Sequence, residues 1–268
     1  MATVIFIPLV YLLGWLAVQP LLLLESRFIN QNLSLFGSII SFLLFLILLP
    51  NWAQVRWSEG FDLGKRSFIT VFNTYPVSNF LSGFSEALLV VLSIIFFLMF
   101  GPWIEWNIQF NWIILWNSIF LCFLVGFAEE LIFRGWLTIE LNCLTRSRKG
   151  DLFQALIFSI AHIRLSANFL EMIFLSFGLF IFGLLLAEKR KNDNGSLWGC
   201  IGFHGGLVGI WFLVENCLLE FSEIRPYWLL GPGITSPNPI GGCLGISLLI
   251  IILIYERFRD VNSRRRSL

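Results

Sequence analysis

Charge is scarce in this chain. Only 13% of its 268 residues are Asp, Glu, Lys or Arg, about half the share of a soluble domain, so a soluble globular protein is not expected. The 18 basic and 17 acidic residues nearly cancel, leaving a net charge of +1. No basic surplus is available to hold a polyanion, and nucleic acid is not an expected partner. Cysteines are few (Cys122, Cys143, Cys200, Cys217 and Cys243), odd in number and without a C-x-x-C pair. They read as small buried hydrophobes, not as a disulfide framework. An H-E-x-x-H zinc motif is missing, because His162 is followed by Ile163, Arg164 and Leu165. A serine nucleophile elbow is missing too. The first apolar run has no basic leader and no Ala-x-Ala pattern, so it reads as a retained span, not a signal peptide.

What the chain has in abundance is apolar sequence, 57% of the whole. Uncharged runs such as Val4 to Leu24, Leu33 to Leu49, Ala87 to Ile104 and Ile240 to Tyr255 have the length and composition of membrane helices. The expected fold class is an all-α, polytopic transmembrane helical bundle of about eight spans, at 4–24, 33–50, 79–100, 112–130, 152–167, 169–187, 197–219 and 240–255. The fifth is short, with Arg164 near its end. The positive charges suggest an orientation. With a cytoplasmic N-terminus and these eight spans, fifteen of the 18 Lys and Arg residues fall on the cytoplasmic side, in loops near 56–66, 134–149 and 189–191 and in the C-terminal tail. The positive-inside rule then gives N-in, C-in topology, in a plasma (inner) membrane. The segment Asn51 to Asn79 mixes Trp52, Trp57, Phe61 and Phe68 with charges and is expected to lie along the interface. Membrane lipids are expected partners throughout.

An ionisable group inside a membrane costs at least about 2.5–3.5 kcal/mol, so three clusters draw attention. Glu129-Glu130 and Arg134 stand at the inner end of span four. Glu130 and Arg134 are spaced i, i+4, the favourable order for an ion pair. Glu129 points elsewhere on the helix and is left over. Phe158 and His162 share one helical face in span five. His204, in span seven, is followed by Gly205 and Gly206, which permit close approach of another helix. Each cluster alone is also what an interface marker or a packed core histidine would give. Together they hold both histidines of the chain. Helix rise places His162 about 15 Å and His204 about 10 Å below the cytoplasmic boundary, so a carboxylate and two imidazoles can converge there. Glu86, inside span three, is a further intramembrane acid that suits an ion pair, and Glu171 and Glu215 fall toward the outer ends of their spans.

A carboxylate with two imidazoles suits activation of water. Glu129 could act as general base, one imidazole could position the water, and the other could donate to a developing oxyanion. The same three side chains could bind zinc. A metal-free reading is preferred, with zinc as the alternative.

These residues resemble the CAAX protease and bacteriocin-processing family, also called the Abi family of intramembrane proteases. Its E-E-x-x-x-R motif is matched by Glu129, Glu130 and Arg134, and its F-x-x-x-H motif by Phe158 and His162. Its third motif, a histidine followed four residues later by Asn or Asp, is matched by His204 but not by Val208. The resemblance covers roughly residues 115 to 219. It implies a membrane domain over 111–268 that carries the motifs, preceded by spans over 1–110 that carry none. It further implies an intramembrane endopeptidase, independent of metal, in which Glu129 activates water and His162 and His204 assist. Glu130, Arg134 and Phe158 support them, and the substrate is a membrane-associated peptide or protein. A valine at 208 supplies no hydrogen-bond donor, which leaves a second reading open: a non-catalytic scaffold or a bacteriocin self-immunity protein on the same fold.

Overall fold

The computed structural model describes residues 2–24, 26–57, 75–145, 149–163, 169–233 and 236–266, with side chains through Arg259. Most of the segment expected along the interface, and Arg164, lie outside the described residues. The chain divides into two compact units, Met1–Arg66 and Ser67–Leu268, a division that falls earlier than position 110.

The first unit is an antiparallel pair of apolar helices, α1 (Ala2–Val18) and α2 (Arg27–Arg56), joined through a short tight helical segment, Gln19–Leu24. Phe6 stacks on Trp52 at 4.2 Å, and Arg56 donates to the Thr3 hydroxyl at 3.2 Å. Between these ends, Ser41 donates to the Gly37 and Tyr11 carbonyls at 2.7 and 3.3 Å. Gly14 passes directly over the Ser41 backbone, where a β-carbon has no room. Small residues at the crossing let two lipid-type helices gain van der Waals contact.

The second unit is built around α7 (Trp198–Cys217), whose helix is mostly buried. Its neighbours are α3 (Pro76–Leu98), α4 (Trp112–Thr145), α5 (Gly150–Ala161), α6 (Phe169–Asn192) and α8 (Cys243–Arg266). Local sequence explains several boundaries. Pro76 stands in the first turn of α3, where a missing N–H costs nothing. Asn111 caps α4 by accepting from the Ile113 N–H at 2.8 Å. Lys189, Arg190 and Lys191 occupy the last turn of α6, where the helix dipole favours cations. Two faces of α7 are glycine seams. A β-carbon at Gly202 would collide with the Phe80 carbonyl of α3, and one at Gly205 with the Cys122 carbonyl of α4. A three-residue ribbon pairs β1 (Ile104–Trp106) antiparallel with β2 (Leu219–Phe221) at one end of this bundle.

Large apolar side chains cover the outside of both units. Leu23, Val4, Ile113, Trp112 and Leu124 are all more than half exposed, which marks a surface that faces lipid. Among the described residues six helices are long and apolar enough to cross a membrane: Ala2–Leu24, α2, α3, α4, α6 and α7. The all-α, multi-pass class therefore holds. The count of eight spans meets a physical limit. Helix α5 has 12 residues, about 18 Å of rise against roughly 30 Å of hydrocarbon. In α8 the apolar stretch ends at Glu256 and Arg257, about 20 Å from its start. Hydropathy registers apolar residues, whereas crossing requires unbroken helical length.

Candidate active site

The Glu-Glu pair sits in α4, but not in a regular α-helix. Leu121–Val125 and Leu131–Leu137 are π-helical turns, and only Gly126–Glu130 between them is α-helical. A π-turn inserts an extra residue and rotates everything beyond it, and such turns collect at functional sites. The expected geometry of 100° per residue therefore does not hold across this motif.

Glu130 and Arg134 form the ion pair that their spacing predicts, Nη1 to Oε1 at 2.8 Å, with side chains 0% and 1% exposed. The same Glu130 oxygen accepts from Nδ1 of His204 at 2.7 Å. Glu129 is turned away from this pair. Its Oε2 lies 3.2 Å from Nε2 of His162 and 3.8 Å from Nε2 of His204. The three elements α4, α5 and α7 thus bring Glu129, His162 and His204 to one place. His162 itself caps the end of α5, where its Nδ1 meets the Phe158 carbonyl at 2.8 Å.

These partners assign the imidazole tautomers. A carbonyl and a carboxylate only accept, so Nδ1 of each neutral histidine must carry the proton. Each Nε2 then presents a lone pair toward Glu129. Three potential acceptors face a common point, and the 3.2 Å approach of Glu129 to His162 calls for a proton held between them or a water that bridges them. This concentration of acceptors is suited to one thing above all, the two hydrogens of a water molecule. His204 is nearly buried, while the Glu129 and His162 side chains keep 27% and 33% of their surface. The site is therefore reachable.

Aromatic rings fix the imidazoles. Phe158 is fully buried and lies 4.4 Å from the His162 ring and 6.0 Å from the His204 ring. The Arg134 guanidinium stands 4.4 Å from the centre of the same ring, a cation–π contact in a desolvated setting. Phe158 so contacts the basic member of the ion pair as well as both histidines.

Some neighbours carry no sequence signal. Phe182 stacks edge-on against His204 at 5.1 Å, yet in sequence it is one of 29 phenylalanines. Arg190 reads as a topology cation but turns inward and donates to the Arg134 carbonyl in the second π-turn. Glu86 is not part of the site. It pairs with Lys189 at 2.8 Å, the ion-pair role its position suggests. Val208 does not face an oxyanion position with a donor. It lines a separate apolar cavity one turn along α7. The cysteines are free thiols among the described residues, with Cys122, Cys200 and Cys217 buried. Among those residues no group of three or more His, Cys, Asp or Glu side chains has the arrangement of a metal site.

Residues 110–210 match the family model described as type II CAAX prenyl endopeptidase Rce1-like. The resemblance carried by the three motifs is borne out over the segment that contains them. Residues 1–60 match a second model, a domain of unknown function, DUF8676. No curated protein and no solved structure matches the chain. Residues 110–210 are thus similar to CAAX proteases, a family of membrane endopeptidases, within a chain that is an integral multi-pass membrane protein.

Proposed function

We propose that the chain hydrolyses peptide bonds of membrane-associated substrates, with water activated by Glu129 and without a metal. The observation that carries this reading is the meeting of Glu129 Oε2 with the two Nε2 atoms, at 3.2 and 3.8 Å. A water seated among them donates one hydrogen to Glu129 and the other to an imidazole. As its oxygen attacks the substrate carbonyl, the C–O bond forms, an O–H bond breaks, and the proton passes to the Glu129 carboxylate. The carbonyl electron pair moves to oxygen. An imidazole that has taken up a solvent proton at Nε2 can donate to that oxyanion, while its Nδ1–H stays donated to the Phe158 carbonyl or the Glu130 carboxylate. Collapse restores the carbonyl and breaks the C–N bond, and Glu129 returns its proton to the leaving nitrogen. Glu130 holds His204 in the required tautomer, and Arg134 holds the Glu130 carboxylate in place. In this reading the substrate reaches the site from the cytoplasmic side of a plasma membrane, the side that the positive-inside rule assigns to the basic loops if all eight expected spans cross.

The test uses the full-length protein in proteoliposomes with a panel of membrane-tethered fluorogenic peptides. Wild type should cleave at least one peptide, insensitive to chelator, and Glu129→Gln should reduce the rate by about 10²–10⁴-fold. Full activity in Glu129→Gln would sink the role of that residue, and loss of activity on chelation would restore the zinc alternative. Val208 favours a second reading, a scaffold or self-immunity protein, because its side chain has no donor to offer. In cells, a scaffold should keep its phenotype in a Glu129→Gln, His162→Ala double mutant, and an enzyme should lose it.

A further inference from the structure

The stripe of α7 that carries His204 continues beyond it. Val208, Trp211 and Glu215 follow at i+4, i+7 and i+11, on one face of the helix, and all three line a cavity of about 270 Å³. Its apolar wall is completed by Val90, Ile94, Leu207 and Leu249. The cavity is roofed by the segment 236–240, which Trp211 tethers by donating from Nε1 to the Pro237 carbonyl at 2.9 Å. The polar groups concentrate toward the Glu215 end, with Ser236 and Asn238. Ser236 donates to the Glu215 carboxylate at 2.9 Å, and the hydrogen-bond partners of that carboxylate among the described residues are uncharged.

An apolar chamber with a few polar groups at one end is the usual form of a small-molecule site between helices. Here the charged group at that end is a carboxylate with no cation paired to it among the described residues, so complementarity calls for a positive, hydrogen-donating head. The valine at 208 is then no gap in a catalytic motif but part of an apolar wall, where an Asn or Asp would cost burial of a polar group. We propose that this cavity binds a single-chain cationic amphiphile, its ammonium on Glu215 and its chain running along Val208 toward His204. The head would stand about 16 Å from His204 along the helix. The proposal is independent of whether Glu129 hydrolyses peptides.

The test photolabels the full-length protein in phosphatidylcholine nanodiscs with dodecylamine bearing a chain diazirine, beside the matched alcohol and a diazirine-bearing phosphatidylcholine. Adducts are mapped by mass spectrometry. The amine should label Leu207–Phe212 and the 236–249 segment about tenfold more than the alcohol does, the factor one charge-assisted hydrogen bond supplies. Unlabelled dodecylamine should compete, Glu215→Gln should bring the amine down to the level of the alcohol, and Val208→Phe should lower labelling by every probe. Labelling of α1 serves as the control for folding, and competition in wild type needs no variant. Equal labelling by amine, alcohol and phosphatidylcholine would show a plain lipid-tail void and overturn the proposal. So would an unchanged amine preference in Glu215→Gln, or adducts no denser in the cavity than on the exposed face of α4.

Discussion

At Lys189 one ammonium sits between the carboxylates of Glu86 and Glu256, at 2.8 and 3.4 Å. At Glu130 one carboxylate sits between Arg134 and His204, at 2.8 and 2.7 Å. Both centres are sealed, with Lys189, Glu256, Glu130 and Arg134 all at or below 1% exposure. The difference lies at their margins. Around Lys189 the margin carries further pairing: Asn192 donates to Glu256, and Arg259 approaches Asp193 and Glu256 at 3.8 and 3.5 Å. That cluster ties α3, α6 and α8 together. Around Glu130 the pairing stops one residue short, and Glu129 is left facing two imidazole lone pairs at an open edge. A buried ion whose partners are all satisfied holds structure. An acceptor left beside such a pair is free to take a proton.

The largest effect that could break this contrast is at Glu129. Glu129→Gln should cost about 10²–10⁴-fold in hydrolysis with little change in unfolding midpoint, measured as rate per folded molecule. A collapse in stability instead would mean that Glu129 is structural, like the Lys189 cluster. Next, Lys189→Met strands the buried Glu256 and the part-buried Glu86 and should cost about 3–5 kcal/mol in denaturant unfolding. The protein that stays folded should keep its hydrolytic rate, and a matched loss of rate would merge the two clusters into one function. Glu130→Gln comes third. The amide still accepts from His204 and Arg134 but forfeits the charge, for about 1.5–3 kcal/mol. Because the bonds that hold His204 and Arg134 both weaken, rate and stability should fall together, and a change in only one would separate pairing from positioning.

The smallest effect sharpens the comparison at its rim. Asp193 lies in the turn after α6, outside the apolar spans. Burial pushes its carboxyl up to about 6, against the pull of Lys189 and Arg259. The folded protein therefore holds this proton where the unfolded chain has released it. The stabilisation is complete below the unfolded value near 3.9 and is lost as pH rises through about 6. Tm should fall by a few degrees across that window, and Asp193→Asn should flatten the slope. An unchanged slope would locate the pH response elsewhere.

Part of this contrast is legible along the chain. Glu130 and Arg134 are one helical turn apart, so their pairing follows from spacing alone. Glu86 as an ion-paired acid also follows from the cost of an isolated charge in an apolar span. Its partner Lys189 is 103 residues away, and no local pattern connects them. Arg190 is hidden for the same reason, as one of three consecutive cations that look alike at the end of α6. The expected eight spans and the six long apolar helices among the described residues differ at α5 and α8, both apolar yet short as unbroken apolar helices.

The sequence by itself determined the class of molecule. Backbone polar groups cannot go unpaired in lipid, so long apolar runs must become helices. It also determined the chemical inventory, since the chain has only two histidines and both fall, with the Glu-Glu pair, in its apolar helical segments. Only the tertiary structure decided how the imidazoles are shared between the two carboxylates, with His204 Nδ1 on Glu130 and both Nε2 atoms beside Glu129. That choice is made by two π-turns in α4 and by the close glycine crossing at Gly205, which set rotation and depth together. Rotation within a helix and approach between helices depend on contacts among residues tens of positions apart, and these exist only once the bundle has closed.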